Sequence, residues 1–96
     1  MRALRIHAAA AEEATAAIAW YEKERPGLGI EFAHAIDAAL DLLEQDIVPL
    51  TPVPGVAGTR GVKCLLLRRF PYAIIVRERN LEIVVIAIAH QARRPG

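Results

Sequence analysis

Residues 62–89 read VKCLLLRRFPYAIIVRERNLEIVVIAIA, and this stretch decides the fold of the chain. It contains three runs rich in aliphatic and β-branched residues, at Val62–Arg69, Tyr72–Glu78 and Leu81–Ala89. The breaks between them, Phe70-Pro71 and Arg79-Asn80, are short, and short breaks between strand patterns are typical of antiparallel hairpins. The sequence therefore predicts three consecutive antiparallel strands.

The last of these strands has no polar alternation. Ile83–Ala89 is an unbroken apolar run of seven residues, far short of the roughly 20 that a membrane helix needs. Strands that are apolar on both faces are typical of positions inside a sheet. We therefore expect a central strand that is covered on both faces by the chain, or on one face by a partner.

A two-residue connection at Phe70-Pro71 would fix which side chains share a face. Leu67 would then pair with Ile74 and Leu65 with Val76, and this bulkier face is expected to take the helices. Arg68 and Arg77 would remain on the open face of the sheet. A slip of one residue would exchange the two faces.

Two helices are expected before the sheet. The Ala-rich segment from Ala8 to about Glu24 has acidic residues early and Lys23 late, which suits both helix propensity and the helix dipole. Pro26-Gly27 ends it, and a second helix should run from about Gly29 to Asp46. Its apolar stripe, at three- and four-residue spacing, consists of Phe32, Ala33, Ile36, Ala39, Leu40 and Leu43. The short connection predicts an antiparallel helix hairpin.

The remaining segments complete the expected order. Leu4–His7 alternates and is predicted as an edge strand, whereas residues 49–61 are rich in proline and glycine and are predicted as a loop. The order is β-α-α-β-β-β. We expect one α+β domain over residues 1–96, with two N-terminal helices packed on a small, mainly antiparallel sheet.

Charge is divided unevenly along the chain. Residues 1–50 carry four Lys/Arg and nine Asp/Glu, a balance of −5, and residues 51–96 carry eight and two, a balance of +6. The split can mean that acidic helices lie beside basic strands. It also fits a basic surface that binds nucleic acid or an acidic protein.

Composition also bears on location and cofactors. The single cysteine, Cys64, excludes an internal disulfide and is interpreted as a small buried hydrophobe in a reducing compartment. The N-terminus is basic but lacks the long apolar core of a signal peptide. His7 and His34 have no companions at metal-ligand spacing. We expect a cytoplasmic protein without a membrane segment, metal or cofactor.

Three blocks of residues carry a resemblance to a known family. They are Trp20-Tyr21-Glu22 with Pro26-Gly27-Leu28-Gly29 and Phe32, then Arg68-Arg69-Phe70-Pro71-Tyr72, then Ile86-Ala87-Ile88-Ala89-His90 with Arg93-Arg94-Pro95-Gly96. In order and spacing, over essentially the whole chain, they resemble the RelE/ParE toxin superfamily. The resemblance implies a growth-arrest toxin of a type II toxin–antitoxin system, held inactive by a cognate antitoxin.

The resemblance leaves two activities open. RelE-like members cut mRNA on the ribosome, which needs a base, an acid and cations near the phosphate. Candidates for such a nuclease are Lys63, Arg68, Arg77 and His90. However, Ala73 stands where RelE-like toxins carry an arginine, and the sequence ends at Gly96, where many relatives continue with an aromatic residue.

These departures favour the ParE-like branch, whose members inhibit DNA gyrase. Binding of the target or of the antitoxin is then expected at Arg68, Arg69, Tyr72, Arg77, Arg93 and Arg94. No catalytic residue is assigned in that case. A third hypothesis is a decayed, non-toxic member that only binds its antitoxin.

Overall fold

A computed structural model describes residues 3–45, 50–52, 61–79 and 81–91. Its elements in chain order are β1 (Ala3–Ile6), α1 (Ala8–Glu24), α2 (Leu28–Glu44), β2 (Thr51–Pro52), β3 (Val62–Leu66), β4 (Tyr72–Arg79) and β5 (Glu82–His90). The five strands form one sheet in the order β1-β5-β4-β3-β2. All neighbours are antiparallel except β1, which runs parallel to β5. The predicted α+β class is confirmed.

The helices and one face of the sheet share the hydrophobic core. Phe32 and Leu43 of α2 are fully buried with Ile74 of β4 and Ile83 of β5, and α1 contributes Ala10. The apolar stripe predicted for α2 is therefore the face that packs. The opposite side of the sheet, which we call the open face, bears no helix among the described residues.

A short strand occupies part of the predicted loop. Thr51 and Pro52 pair with Cys64 and Lys63 and extend the sheet by β2. Proline cannot donate to a strand ladder and is tolerated at sheet edges, which is where β2 lies. The loop prediction was wrong for these two residues, and residues 53–60 lie outside the described part of the chain.

The predicted β3–β4 register was wrong by two residues. Leu65 pairs with Ile74 instead of Val76, and five residues, 67–71, connect the strands. The connection is longer because Phe70 turns inward and is 5% exposed, which a two-residue turn would not allow. A shift of two preserves the faces, so Leu65 still packs toward the helices.

A β-bulge changes which residues of β5 face the core. Val76 pairs with Val85 but Ile75 pairs with Ala87, so Ile86 is the extra residue. Beyond Val85 no described residue of β1 pairs with β5, and the Ile88 N–H donates to the Glu13 carboxylate of α1 at 2.9 Å. The bulge explains why this run lacks simple alternation, since the inward positions shift by one along the strand.

The two helices meet closely at their connection. Gly27 has a positive φ of 89°, which favours glycine. The Glu22 carboxylate accepts hydrogen bonds from the Gly27 and Gly29 N–H groups, at 2.9 and 3.1 Å, and so occupies the start of α2. A Cβ at Gly29 would lie 2.6 Å from the Ile18 carbonyl oxygen. Glycine at position 29 therefore permits this close helix crossing.

Among the described residues, no helix combines the length and apolar character needed to cross a membrane.

Replacement of Gly29 by alanine is expected to destabilise the protein. In an open helix this change would stabilise by about 0.5–1 kcal/mol. Here the new Cβ meets a backbone oxygen, and overpacking of this kind costs about 1–3 kcal/mol. Urea unfolding should therefore show a lower midpoint for Gly29→Ala. Ile30→Ala, at a position 60% exposed on the same helix, should change the midpoint little, and a Gly29→Ala variant more stable than wild type would contradict the close crossing.

Candidate binding site

An aromatic cluster joins both helices to the β3–β4 connection. The Tyr21 ring of α1 lies 5.1 Å from Phe70, and the Phe32 ring of α2 lies 4.9 Å from Phe70 and 5.0 Å from Tyr72, measured between centroids. The His90 ring meets Tyr72 edge to face at 5.1 Å. Edge-to-face and tilted aromatic pairs of this kind are favourable beyond the area they bury. The cluster fixes the connection and places Arg68 and Arg69 beside it.

Backbone hydrogen bonds hold the same connection from the sheet side. The Gln91 N–H donates to the Pro71 carbonyl at 2.7 Å, and its side-chain amide donates to the Tyr72 carbonyl at 3.1 Å. The Tyr72 N–H in turn donates to the Phe70 carbonyl at 2.7 Å. The loop between β3 and β4 is therefore held in place by hydrogen bonds from Gln91, the residue that follows β5.

The two arginines of this loop have different surroundings. Arg69 forms an ion pair with Glu31 of α2 and stacks over the Phe70 ring at 5.3 Å. Glu31 also lies 3.6 Å from Arg25, so two cations share one carboxylate. Arg68 is exposed, and no described residue forms an ion pair with it. Arg68 is therefore the cation of this loop that is available to a binding partner.

Sequence reasoning did not identify Glu31 as the partner of Arg69. The two residues are 38 positions apart, and only the packing of α2 beside the β3–β4 connection brings them together. The sequence signal, an acidic residue in the first turn of α2, predicts a favourable helix dipole interaction but no specific cation.

Arg77 lies at a different place from the loop arginines. It pairs in the sheet with Val62 and Val84 and belongs to the open face, as predicted. Five residues along β4 separate it from Tyr72, which is about 17 Å at the usual strand rise. Its Nε atom is shielded from water, and no described residue accepts a hydrogen bond from it. The residues predicted to bind a partner thus fall into two separate groups.

The last two predicted binding residues, Arg93 and Arg94, lie outside the described residues.

The candidate nuclease residues do not come together. Lys63 faces the helix side, where its Nζ lies 2.6 Å from a Glu78 carboxylate oxygen, whereas Arg77 belongs to the open face. His90 pairs with Tyr72 at the far end of β4. Ala73, at the position of the expected arginine, is 7% exposed. Lys63 and Arg77 therefore lie on opposite faces near one end of β4, whereas His90 lies at the other end, next to the loop that carries Arg68.

The described residues offer no site for a metal ion, since no group of three potential ligand side chains is found in them. Cys64 is a free thiol on the open face and is only partly buried, so its interpretation as a buried hydrophobe was wrong. The reason is that this face carries no helix in the described structure.

Burial changes the acidity of one member of the aromatic cluster. The pKa of Tyr21 is raised above its ordinary value of 10.0, mainly because burial penalises the phenolate and also because the negative charge of an ionised Tyr72 would lie nearby. A raised pKa means that the folded protein favours the neutral phenol.

A helix hairpin packed on one face of a mixed five-stranded sheet is the class of fold expected from the RelE/ParE resemblance. The structure is similar to a chain of the chromosomal ParDE TA (toxin–antitoxin) system from P. aeruginosa, with a TM-score of 0.79 and 22% sequence identity. The similarity covers 94% of this chain and 96% of that chain, and it confirms the fold. No protein-family model and no curated protein matches this sequence.

Phenol titration should detect the environment of Tyr21. The chain contains two tyrosines, so absorbance at 295 nm should resolve one phenol that titrates above the ordinary pKa of tyrosine. Tyr21→Phe should remove this component. The associated stability is present below the unfolded pKa near 10.0 and is lost as pH rises through the folded value. Tyr72→Phe serves as the matched variant. Persistence of the high component in Tyr21→Phe would contradict the assignment.

Proposed function

We propose that this chain is the toxin of a type II toxin–antitoxin system, neutralised by a cognate antitoxin. The observation that carries the proposal is the structural likeness to a chain of a ParDE toxin–antitoxin system over 94% of this chain. Two of the three sequence blocks also support the proposal. Their aromatic residues pack together in the aromatic cluster, namely Tyr21, Phe32, Phe70 and Tyr72.

We further propose a ParE-like activity, the inhibition of DNA gyrase. RNA cleavage would need an acid, a base and cations around one phosphate. Lys63 is already paired with Glu78, and Arg77 lies toward the end of β4 opposite to Tyr72, the residue that pairs with His90 of β5. An inhibitor that acts by binding needs only a rigid complementary surface. The braced β3–β4 loop with its available Arg68 meets that requirement, and Arg69, Tyr72 and the C-terminal Arg93 and Arg94 are proposed to contribute.

Expression of the chain alone should arrest bacterial growth, and co-expression of the adjacent gene product should restore it. The reason is that the antitoxin sequesters the toxin surface. Growth curves with the soluble protein level measured in parallel provide the test. A frameshifted copy of the chain is the control. Normal growth at a high level of soluble, folded chain would instead support the decayed, non-toxic member.

The molecular target can be tested with purified protein. A supercoiling assay should show inhibition of gyrase, while a ribosome-programmed assay should leave mRNA intact. Arg68→Ala should weaken the inhibition, because an exposed cation without a described ion-pair partner is free to bind an acidic surface. Arg5→Ala is the matched control: it also removes one exposed arginine, but this arginine pairs with Glu82.

Cleavage of mRNA without inhibition of gyrase would support the RelE-like alternative. In that case mRNA is cleaved, supercoiling is unaffected, and His90→Ala or Arg68→Ala abolishes cleavage. Equal inhibition of gyrase by the wild-type, Arg68→Ala and Arg5→Ala proteins would still support gyrase as the target. It would show that Arg68 does not contribute to the contact surface.

A further inference from the structure

Two arginines converge on one carboxylate where the two helices meet the β3–β4 loop. The carboxylate belongs to Glu31, in the first turn of α2. One of its oxygens accepts a hydrogen bond from the Arg69 guanidinium, and the other lies 3.6 Å from Nη2 of Arg25. Three separate segments, the end of α1, the start of α2 and the loop, therefore each contribute one charged side chain.

Both arginines are attached to ordered parts of the chain. The Arg25 N–H donates to the Tyr21 carbonyl at 3.0 Å and ends α1, and the Arg25 carbonyl accepts from the Leu28 N–H at 3.0 Å. The Arg69 guanidinium lies over the Phe70 ring, which is anchored in the aromatic cluster. A cation pair that is already arranged in this way loses little conformational freedom when it binds an anion.

The pair keeps positive charge and access to water. The side chains of Arg25, Arg69 and Glu31 are 64%, 60% and 40% exposed, and together they carry a net charge of one positive unit. The nearby Glu22 carboxylate is engaged by the N–H groups of Gly27 and Gly29. A guanidinium has more N–H donors than half of a shared carboxylate can accept. The two arginines can therefore bind a further oxyanion.

The surroundings favour a protein carboxylate over a nucleic acid as that oxyanion. Glu31 shows that a carboxylate fits between the two guanidinium groups. Single-stranded nucleic acid is usually held by base stacking, but Phe70, the ring beside the arginines, is 5% exposed and is already covered by Arg69. A phosphate backbone would also bring several negative charges toward Glu31, whereas an acidic side chain brings one.

We propose that Arg25 and Arg69 form a receptor for an acidic side chain of the toxin's protein target, and that Glu31 competes with this side chain in the free chain. The inference rests on the proposed function, because it takes the target of the toxin as the partner. The incoming carboxylate replaces Glu31 on one or both arginines, beside the exposed Arg68 of the same loop. The contact surface thereby extends from the β3–β4 loop to the end of α1.

Replacement of Glu31 by glutamine provides the main test. The dissociation constant for purified gyrase is measured by titration, and inhibition of supercoiling is measured in parallel. One exposed ion pair corresponds to at most about a fivefold change in an equilibrium constant. Loss of a competitor that holds two cations should therefore tighten binding by about threefold to tenfold. Glu24→Gln is the matched control, since it removes an exposed carboxylate at the end of α1 that forms no described ion pair, and it should change binding less than about twofold.

The arginine variants test the receptor itself. Arg25→Gln and Arg69→Gln should each weaken binding severalfold, because each removes one of the two cations. The gain produced by Glu31→Gln should shrink in the Arg25→Gln chain, since the competitor then blocks only one cation. A general effect of charge would instead give the same gain in both backgrounds.

A purely structural role of Glu31 predicts the opposite sign. If Glu31 served only to hold the β3–β4 loop, Glu31→Gln would weaken binding and lower the urea midpoint of the free chain. We expect that midpoint to change little, because exposed ion pairs contribute little to stability and the aromatic cluster also holds the loop.

A nucleic acid partner is tested with a fluorescently labelled single-stranded oligonucleotide. Tight binding of this probe that is lost in Arg25→Gln and Arg69→Gln would assign the receptor to phosphate and overturn the protein partner. Equal effects of Glu31→Gln and Glu24→Gln on gyrase binding, or weaker binding in Glu31→Gln, would overturn the inference while gyrase inhibition by the wild-type chain still stands. A wild-type chain that neither binds nor inhibits gyrase would remove the proposed target and the inference together.

Discussion

The contact between Gly29 and the Ile18 carbonyl is the constraint on which the rest of the packing depends. A Cβ at this position would lie 2.6 Å from that oxygen, so the absence of a side chain permits the two helices to cross closely. Glu22 reinforces the crossing, because its carboxylate binds the N–H groups of Gly27 and Gly29 at the start of α2. A negative charge at a helix N-terminus is also favourable to the helix dipole. The hairpin is thereby held by both shape and charge.

The hairpin in turn positions the aromatic cluster. Tyr21 and Phe32 lie 4.9 Å apart between ring centroids, one from each helix, and Phe70 inserts beside both. The β3–β4 connection therefore follows the helix crossing, although it is distant in sequence. Arg69 is bound to Glu31 as a result, and Arg68 stays exposed without an ion-pair partner among the described residues.

A second consequence concerns the two faces of the sheet. The bulge at Ile86 turns Val85 and Ile88 toward the helices, and Glu13 satisfies the Ile88 N–H where β1 no longer pairs. The helix face is filled by the chain itself. The open face keeps an apolar centre beside Arg77, whose Nε is shielded from water and is bound by no described acceptor.

Periodicity and composition predicted the two helices, the four longer strands and their order along the chain. These features depend on the local spacing of apolar residues and on the Pro-Gly pair that ends the first helix. They also predicted that Arg77 lies on the open face, since a register error of two residues does not exchange the faces of a strand. The long β3–β4 connection required the tertiary structure, because the inward turn of Phe70 depends on rings supplied by both helices. The difference between the exposed Arg68 and the paired Arg69 also required the tertiary structure, since Arg69 pairs with Glu31, which is 38 positions away in the sequence. The sequence by itself determined which segments form elements and which faces are apolar; only the tertiary structure decided which charges are paired, because ion pairs form between side chains that the chain brings together through packing.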